Sequence, residues 1–146
     1  MTRPTYLSAH FSYFEGVNTS HRQYDNTPPD AVYNNMLIAA QGMEKVREIL
    51  GNKPISISSW YRSPQVNRAV KGSKNSAHMT GFAVDFVCPS YGAPLDVAKA
   101  IAHSGMNFDQ VIHEFGRWVH ISFDPRMRGQ LLTFKPGASA PVIGLV

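Results

Sequence analysis

The stretch Ser76-Ala-His-Met-Thr-Gly-Phe-Ala-Val-Asp-Phe-Val87 runs from a polar loop into an apolar segment. From Gly81 onward the side chains split between two faces, with Phe82, Val84 and Phe86 on one and Ala83, Asp85 and Val87 on the other. That alternation is the signature of a β-strand with a core on one side. Asp85 is the exceptional position, because a carboxylate set among Phe, Ala and Val is costly to bury without a cation or hydrogen-bond donors. Further on, Trp118-Val-His120 opens a second strand-like run, Trp118 to Phe123. If the two strands pair, His120 can approach Asp85, and Gly81 lets the chain turn so that His78 reaches the same place. His78, Asp85 and His120 are therefore candidate ligands for one metal ion. Imidazole and carboxylate are common zinc ligands, and a catalytic zinc keeps three protein ligands and one open position. A single His-x6-Asp pair is weak evidence, since the same residues could be a loop histidine, an ion-pairing carboxylate and a core histidine. The charge at Asp85 is what favours the metal.

Outward from this centre, the chain reads as one α+β domain over residues 1–146, with a small, mostly antiparallel sheet flanked by helices. A short helical turn is expected over Phe11–Glu15 with Ser12 as cap. A long helix follows from Asp30, itself a candidate cap, to about Leu50, where Val32, Met36, Leu37, Ala40, Met43, Val46 and Ile49 mark a buried face and Gly51 ends it. Ile55–Ser59 alternates like a strand. Ser63-Pro64 opens a short helix through Val70, and Lys71–Asn75 is a loop. Pro94–His103 has helical spacing. Phe108–Glu114 and Trp118–Phe123 form a hairpin around Phe115-Gly-Arg117, and Leu131–Phe134 is expected as an edge strand. Phe82, Val84, Phe86, Ile55, Ile57, Met36, Leu37, Val111 and Ile121 are the expected core.

The formal charge of +4 suits anionic partners without choosing among them. No dense Lys/Arg run supports a nucleic-acid partner, although a small basic binder is a third alternative. The single cysteine, Cys88, cannot form an intrachain disulfide and reads as a small buried residue. No run of about 18 apolar residues predicts a membrane span. Met-Thr-Arg-Pro-Thr-Tyr at the start lacks the apolar stretch of a secretion signal, so synthesis and folding in the cytoplasm are expected. A monomer is expected.

Several ordered motifs together carry a resemblance. Ser76-x-His78-x-x-Gly81-x-Ala83-x-Asp85, Trp118-x-His120, Phe11-Ser12 with Asn26-Thr-Pro-Pro29, Ser59-Trp-Tyr-Arg-Ser-Pro64 and Phe108-Asp-Gln-Val-Ile-His-Glu-Phe-Gly116 resemble the zinc D-alanyl-D-alanine carboxypeptidases and related LAS-type murein peptidases. Within that group the chain most resembles the phage endolysin and wall-peptidase branch, from about residue 8 to 134. The resemblance implies a hedgehog/D-Ala-D-Ala peptidase-like fold and one zinc ion on His78, Asp85 and His120. It also implies hydrolysis of peptidoglycan stem or cross-link peptides. With no secretion signal in the sequence, action on the cell wall after release by another factor is expected. A non-catalytic zinc-containing module on the same scaffold is the alternative.

Metal-assisted peptide hydrolysis also needs a base and an oxyanion donor. Many relatives carry the base three residues before the last histidine, where this chain has Arg117. Glu114 and His113 are the local candidates. A three-residue loop 115–117 places Glu114 opposite Trp118 and Ile112 opposite His120, whereas a two-residue loop 116–117 places His113 opposite His120. The branch resembled has glutamate at position 114, so the resemblance implies Glu114 as the base, with His113 as the alternative. Arg62, between a strand and a Pro-led helix, is a candidate to hold a substrate carboxylate or an oxyanion by paired hydrogen bonds. Ser76 is a candidate substrate contact or a loop cap. Trp118 shares the face of His120 and is a candidate wall of the site or a core residue. His10, His21 and His103 read as surface or packing residues.

Overall fold

The computed structural model describes residues 2–146. Its elements are α1 (Tyr13–Val17), α2 (Asp30–Ile49), β1 (Ser56–Ser59), α3 (Pro64–Ala69), β2 (Ala83–Val87), α4 (Pro94–His103), β3 (Gln110–Glu114), β4 (Trp118–Ser122), β5 (Gln130–Phe134) and β6 (Val142–Ile143). The strands form a six-stranded sheet in the order β1-β2-β4-β3-β5-β6, antiparallel throughout except for β3 beside β5. The α+β class and the mostly antiparallel sheet expected from sequence are both present.

Local chemistry accounts for the element ends. Ser12 caps α1 in a reciprocal box with Glu15. Ser63 caps α3 through a bond from the Val66 N–H, with Pro64 in its first turn. Asp30 does not cap α2. Pro29 occupies that position without a side-chain bond, and Asp30 is the first helical residue, ion-paired with Arg3 at 2.8 Å. An acid in the first turn still suits the helix dipole.

One face of the sheet carries Val84, Phe86, Val111, Val119 and Ile121, all buried against Met36, Ala40, Met43 and Val46 of α2 and Val97, Ala98 and Ile101 of α4. Leu37, Ile55 and Ile57, expected in the core, are partly buried and pack against it. Cys88 is buried and free. Trp60 is fully buried, and its indole N–H donates to the Gly81 carbonyl at 3.0 Å. Gly81 itself has φ +83°, and a Cβ there would meet the Val32 carbonyl and Met36 at 2.8 Å. The turn out of the His78 loop therefore requires glycine both for its backbone and for its closeness to α2.

Residues 131–134 are not an edge. β5 lies between β3 and β6, with Leu132 opposite Ile143 and Thr133 opposite Val142. Segment 123–129 passes over the start of β3 to reach that place, tied there by the Gly129 N–H to Phe108 O and the Gln130 N–H to Asp109 O. Asp109 is the anchor. It is almost fully buried, it accepts from Arg128 Nε and Nη2 at 2.8 Å each, and it accepts from the Arg128 backbone N–H at 3.0 Å. These bonds to Arg128, stronger than the cost of burial, hold its carboxyl below the ordinary range. Asp109→Asn is expected to cost about 2 kcal/mol at neutral pH. Because the folded pKa is depressed, this stabilisation is complete above the unfolded value of about 3.9 and is lost as pH falls through the folded value. Denaturant melts of both proteins at pH 7 and in the acid limb check it: the gap between them should close as the acid limb deepens.

Candidate metal centre

The opposite face of the sheet carries the polar centre. In the β2–β4 ladder Asp85 stands directly across from His120. In the β3–β4 ladder Ile112 pairs with His120 and Glu114 with Trp118, so the hairpin loop is the three-residue one. Glu114 thus shares a face with Trp118 and His120, and His113, paired with Val119, stands on the other. Phe115 and Gly116 both have positive φ, at 58° and 69°, and the Arg117 N–H returns to Glu114 O at 2.9 Å. A phenylalanine in that conformation is strained, and its contacts offset the cost: its ring sits 5.4 Å from both Trp118 and Phe134.

His78, Asp85 and His120 are brought together and buried, with one ligand atom from each within 4.8 Å of the others. Asp85 Oδ1 lies 2.9 Å from His120 Nδ1, and Asp85 Oδ2 lies 3.2 Å from His78 Nε2. The far side of the His78 ring is fixed by its neighbour, because Nδ1 lies 2.7 Å from the Trp60 carbonyl oxygen. A carbonyl can only accept, so Nδ1 carries the proton and Nε2 presents a lone pair. That Nε2 is buried and has no hydrogen-bond partner. A buried imidazole nitrogen left without a partner beside a carboxylate and a second imidazole is what a metal ion would satisfy. Two nitrogens and one carboxylate oxygen are the donor set of a three-ligand zinc site.

The charge states of His78 and Asp85 agree with that use. Burial pushes His78 below the ordinary histidine value, against the pull of Asp85, and so keeps it neutral. Burial would raise Asp85, but His78 and His120 outweigh it and hold the carboxyl well below its usual range, ionised. Burial would likewise lower His120; its bond to Asp85 and the charges of Asp85 and Glu114 leave it raised instead. Glu114 is raised by burial first and by the Asp85 charge second, offset in part by His120 and Arg62.

Above this centre lies a cleft of about 540 Å³, lined among others by Arg62, Asp85, Glu114, Phe115 and Trp118. Arg62 is mostly buried, with Nη2 3.6 Å from Asp85 Oδ2. Burial draws its pKa down against the charges of Asp85 and Glu114, but a guanidinium remains charged. Two side chains that the sequence reading missed aim it. Ser59 Oγ accepts from Nε at 3.2 Å, and Asn67 Oδ1 accepts from Nη1 at 3.1 Å. Asn67 also donates to the Ser73 carbonyl, which ties Arg62 to the loop leading to His78. Glu114 Oε1 is 3.6 Å from His120 Nδ1. Trp118 walls the cleft; its indole N–H is buried without an acceptor at hydrogen-bond geometry, yet it is near enough to help lower Glu114. Ser76 caps the loop that carries His78. Its hydroxyl accepts from the His78 backbone N–H at 3.2 Å, and it is not among the residues lining the cleft. His10 pairs with Glu44 at 2.7 Å, and His113 Nδ1 faces the Val146 carbonyl at 3.1 Å, both apart from the centre.

Residues 9–122 match the family model described as Peptidase M15. The chain belongs to the peptidase M15 family. The matched span contains the residues that build this centre, Arg62, His78, Asp85, Glu114 and His120. Among curated relatives, the M15 chain is 36% identical over 58 residues to the zinc D-Ala-D-Ala carboxypeptidase of Streptomyces albus G. That alignment covers 40% of this chain and 23% of the relative, so the chain spans under a quarter of the length of the protein it matches.

Proposed function

We propose that this chain is a zinc-dependent peptidase that hydrolyses stem or cross-link peptides of peptidoglycan, as a D-Ala-D-Ala carboxypeptidase or an endopeptidase. The observation that carries the reading is the partnerless His78 Nε2, buried beside Asp85 and His120 under a cleft that holds Arg62 and Glu114. Membership of a peptidase family and the printed activity of the Streptomyces relative support the reaction and the metal.

His78, Asp85 and His120 would hold one zinc ion, with Asp85 balancing part of its charge. When bound, the ion would supply Lewis acidity and make water a competent nucleophile near neutral pH. Glu114 accepts the proton of the attacking water on a carboxylate oxygen and then returns it to the leaving amine. Burial suits it to both steps, because a raised pKa brings a carboxylate nearer the operating pH. Arg62, held by Ser59 and Asn67, presents its guanidinium to the charge that develops on the scissile carbonyl oxygen. Trp118 forms the apolar wall that keeps bulk water from this charge. No helix among the described residues is long and apolar enough to cross a membrane. The peptidoglycan substrate of this proposal puts the site of action at the cell wall, in the manner of an endolysin.

The test is release of new amino groups from purified peptidoglycan. Zinc-loaded protein should release them, chelator should stop the release, and added zinc should restore it. Zinc bound with no peptide bond cut would reject the enzyme reading in favour of a binding module.

A further inference from the structure

Three helices are followed by a residue in the left-handed conformation, and they do not use the same residue. After α2 it is Gly51 at φ +74°, and after α4 it is Gly105 at φ +79°, each with open space around it. After α3 it is Lys71 at φ +59°. The α3 end is a Schellman turn: the Lys71 N–H donates to Arg68 O at 3.1 Å and the Gly72 N–H to Asn67 O at 2.9 Å. In such a turn the left-handed position is the one that favours glycine. Here glycine stands one residue later, at Gly72, where a Cβ would meet Asn67 Oδ1 at 2.1 Å and Arg62 Nη1 at 2.7 Å. Space dictates Gly72, whereas Lys71 occupies its position against backbone preference. A strained residue that persists beside a functional cleft invites a functional explanation.

The placement supplies one. α3 is the helix beside the cleft, and Lys71 lines it together with Arg62, Asp85 and Glu114. Its side chain is exposed and takes part in none of the ion pairs among the described residues. Arg62 by contrast is mostly buried and engaged with Ser59, Asn67 and Asp85. The cleft thus has an inner cation aimed at the reacting centre and an outer, unpaired one on a loop that Asn67 pins through the Ser73 carbonyl. An ammonium so placed suits a carboxylate on the substrate outside the scissile bond, as a point charge with three donors. We propose that Lys71 is a specificity-determining residue that binds a free carboxylate of the peptide substrate. The assignment rests on the peptidase reading for the nature of the substrate, but not on turnover.

The experiment compares Lys71→Gly and Lys71→Arg in the zinc-loaded chain, with binding measured by calorimetry in a Glu114→Gln background. The probes are a synthetic stem peptide with free carboxylates, its side-chain amide and its C-terminal amide. The parent should prefer one carboxylate peptide over the matching amide, and the two amides tell which carboxylate is read. Lys71→Gly should bind that peptide roughly five- to tenfold more weakly and lose the preference, while melting at the same temperature or higher. Lys71→Arg should keep the preference. Equal affinity for acid and amide peptides in the parent, no binding of any probe, or a preference that survives Lys71→Gly, overturns the proposal. A Lys71-dependent preference without cleavage of any peptide by the Glu114 parent would instead reject the peptidase reading and leave this one standing.

Discussion

Asp85→Asn is expected to strip the protein of its metal and its activity together. Asp85 is buried and touches both other candidate ligands, with Oδ1 2.9 Å from His120 Nδ1 and Oδ2 3.2 Å from His78 Nε2. The amide keeps the shape of the side chain but removes the negative charge and the anionic donor. A metal–ligand partner in an outer position costs about 10- to 100-fold in affinity when lost, so loss of an inner one should exceed about a hundredfold. Zinc content after desalting should fall to near zero, and peptide hydrolysis should fall with it. Retention of one zinc per chain by the variant would show that the ion sits elsewhere. The fold should survive, because the apolar face of β2, with Val84 and Phe86, packs on the other side of the sheet.

Glu114→Gln separates proton transfer from metal binding. Glu114 approaches the centre at 3.6 Å from His120 but is not one of the three clustered ligands. Zinc content should therefore stay at the parent level while kcat drops about 10²- to 10⁴-fold, the usual worth of a general base. KM should change little. His113→Ala is the control, because its ring lies on the opposite face and points toward the Val146 carbonyl. That variant should keep activity. A Glu114→Gln protein with unchanged kcat would remove Glu114 from the reaction, and loss of activity in His113→Ala with zinc retained would shift attention to the other face of the hairpin.

Much of this centre is legible in the chain itself. The alternation around Asp85 places a charge inside a strand, and the spacing in Trp118-x-His120 sets two side chains on one face. The choice between Glu114 and His113 could not be made from the pattern, since moving the loop by one residue exchanges the two faces. Register places Glu114 opposite Trp118, on the face of His120, and His113 on the other face. The strained Phe115 that permits this loop is held by Trp118 and by Phe134 of β5, a contact that no local pattern contains. Leu131–Phe134 suggests an edge strand from its sequence because those four residues say nothing about neighbours. The segment leading to its place between β3 and β6 is tied by Arg128 to the buried Asp109, a contact between residues distant in the chain. The same limit hid the support of the site. The Trp60 carbonyl that orients His78 is backbone, and Asn67 acts on Arg62 only because α3 and the Gly72 turn fold together. Ligands announce themselves by residue type, whereas the groups that aim them depend on packing.

The central claim is that one zinc ion on His78, Asp85 and His120 makes this chain a peptidase. A titration of zinc into the metal-free protein, with hydrolysis of defined muropeptides followed by mass spectrometry, tests it most directly. Product should be absent without metal, rise in proportion to added zinc and level off at one ion per chain. Full hydrolysis in the presence of excess chelator, or one bound zinc with every muropeptide intact, would contradict it.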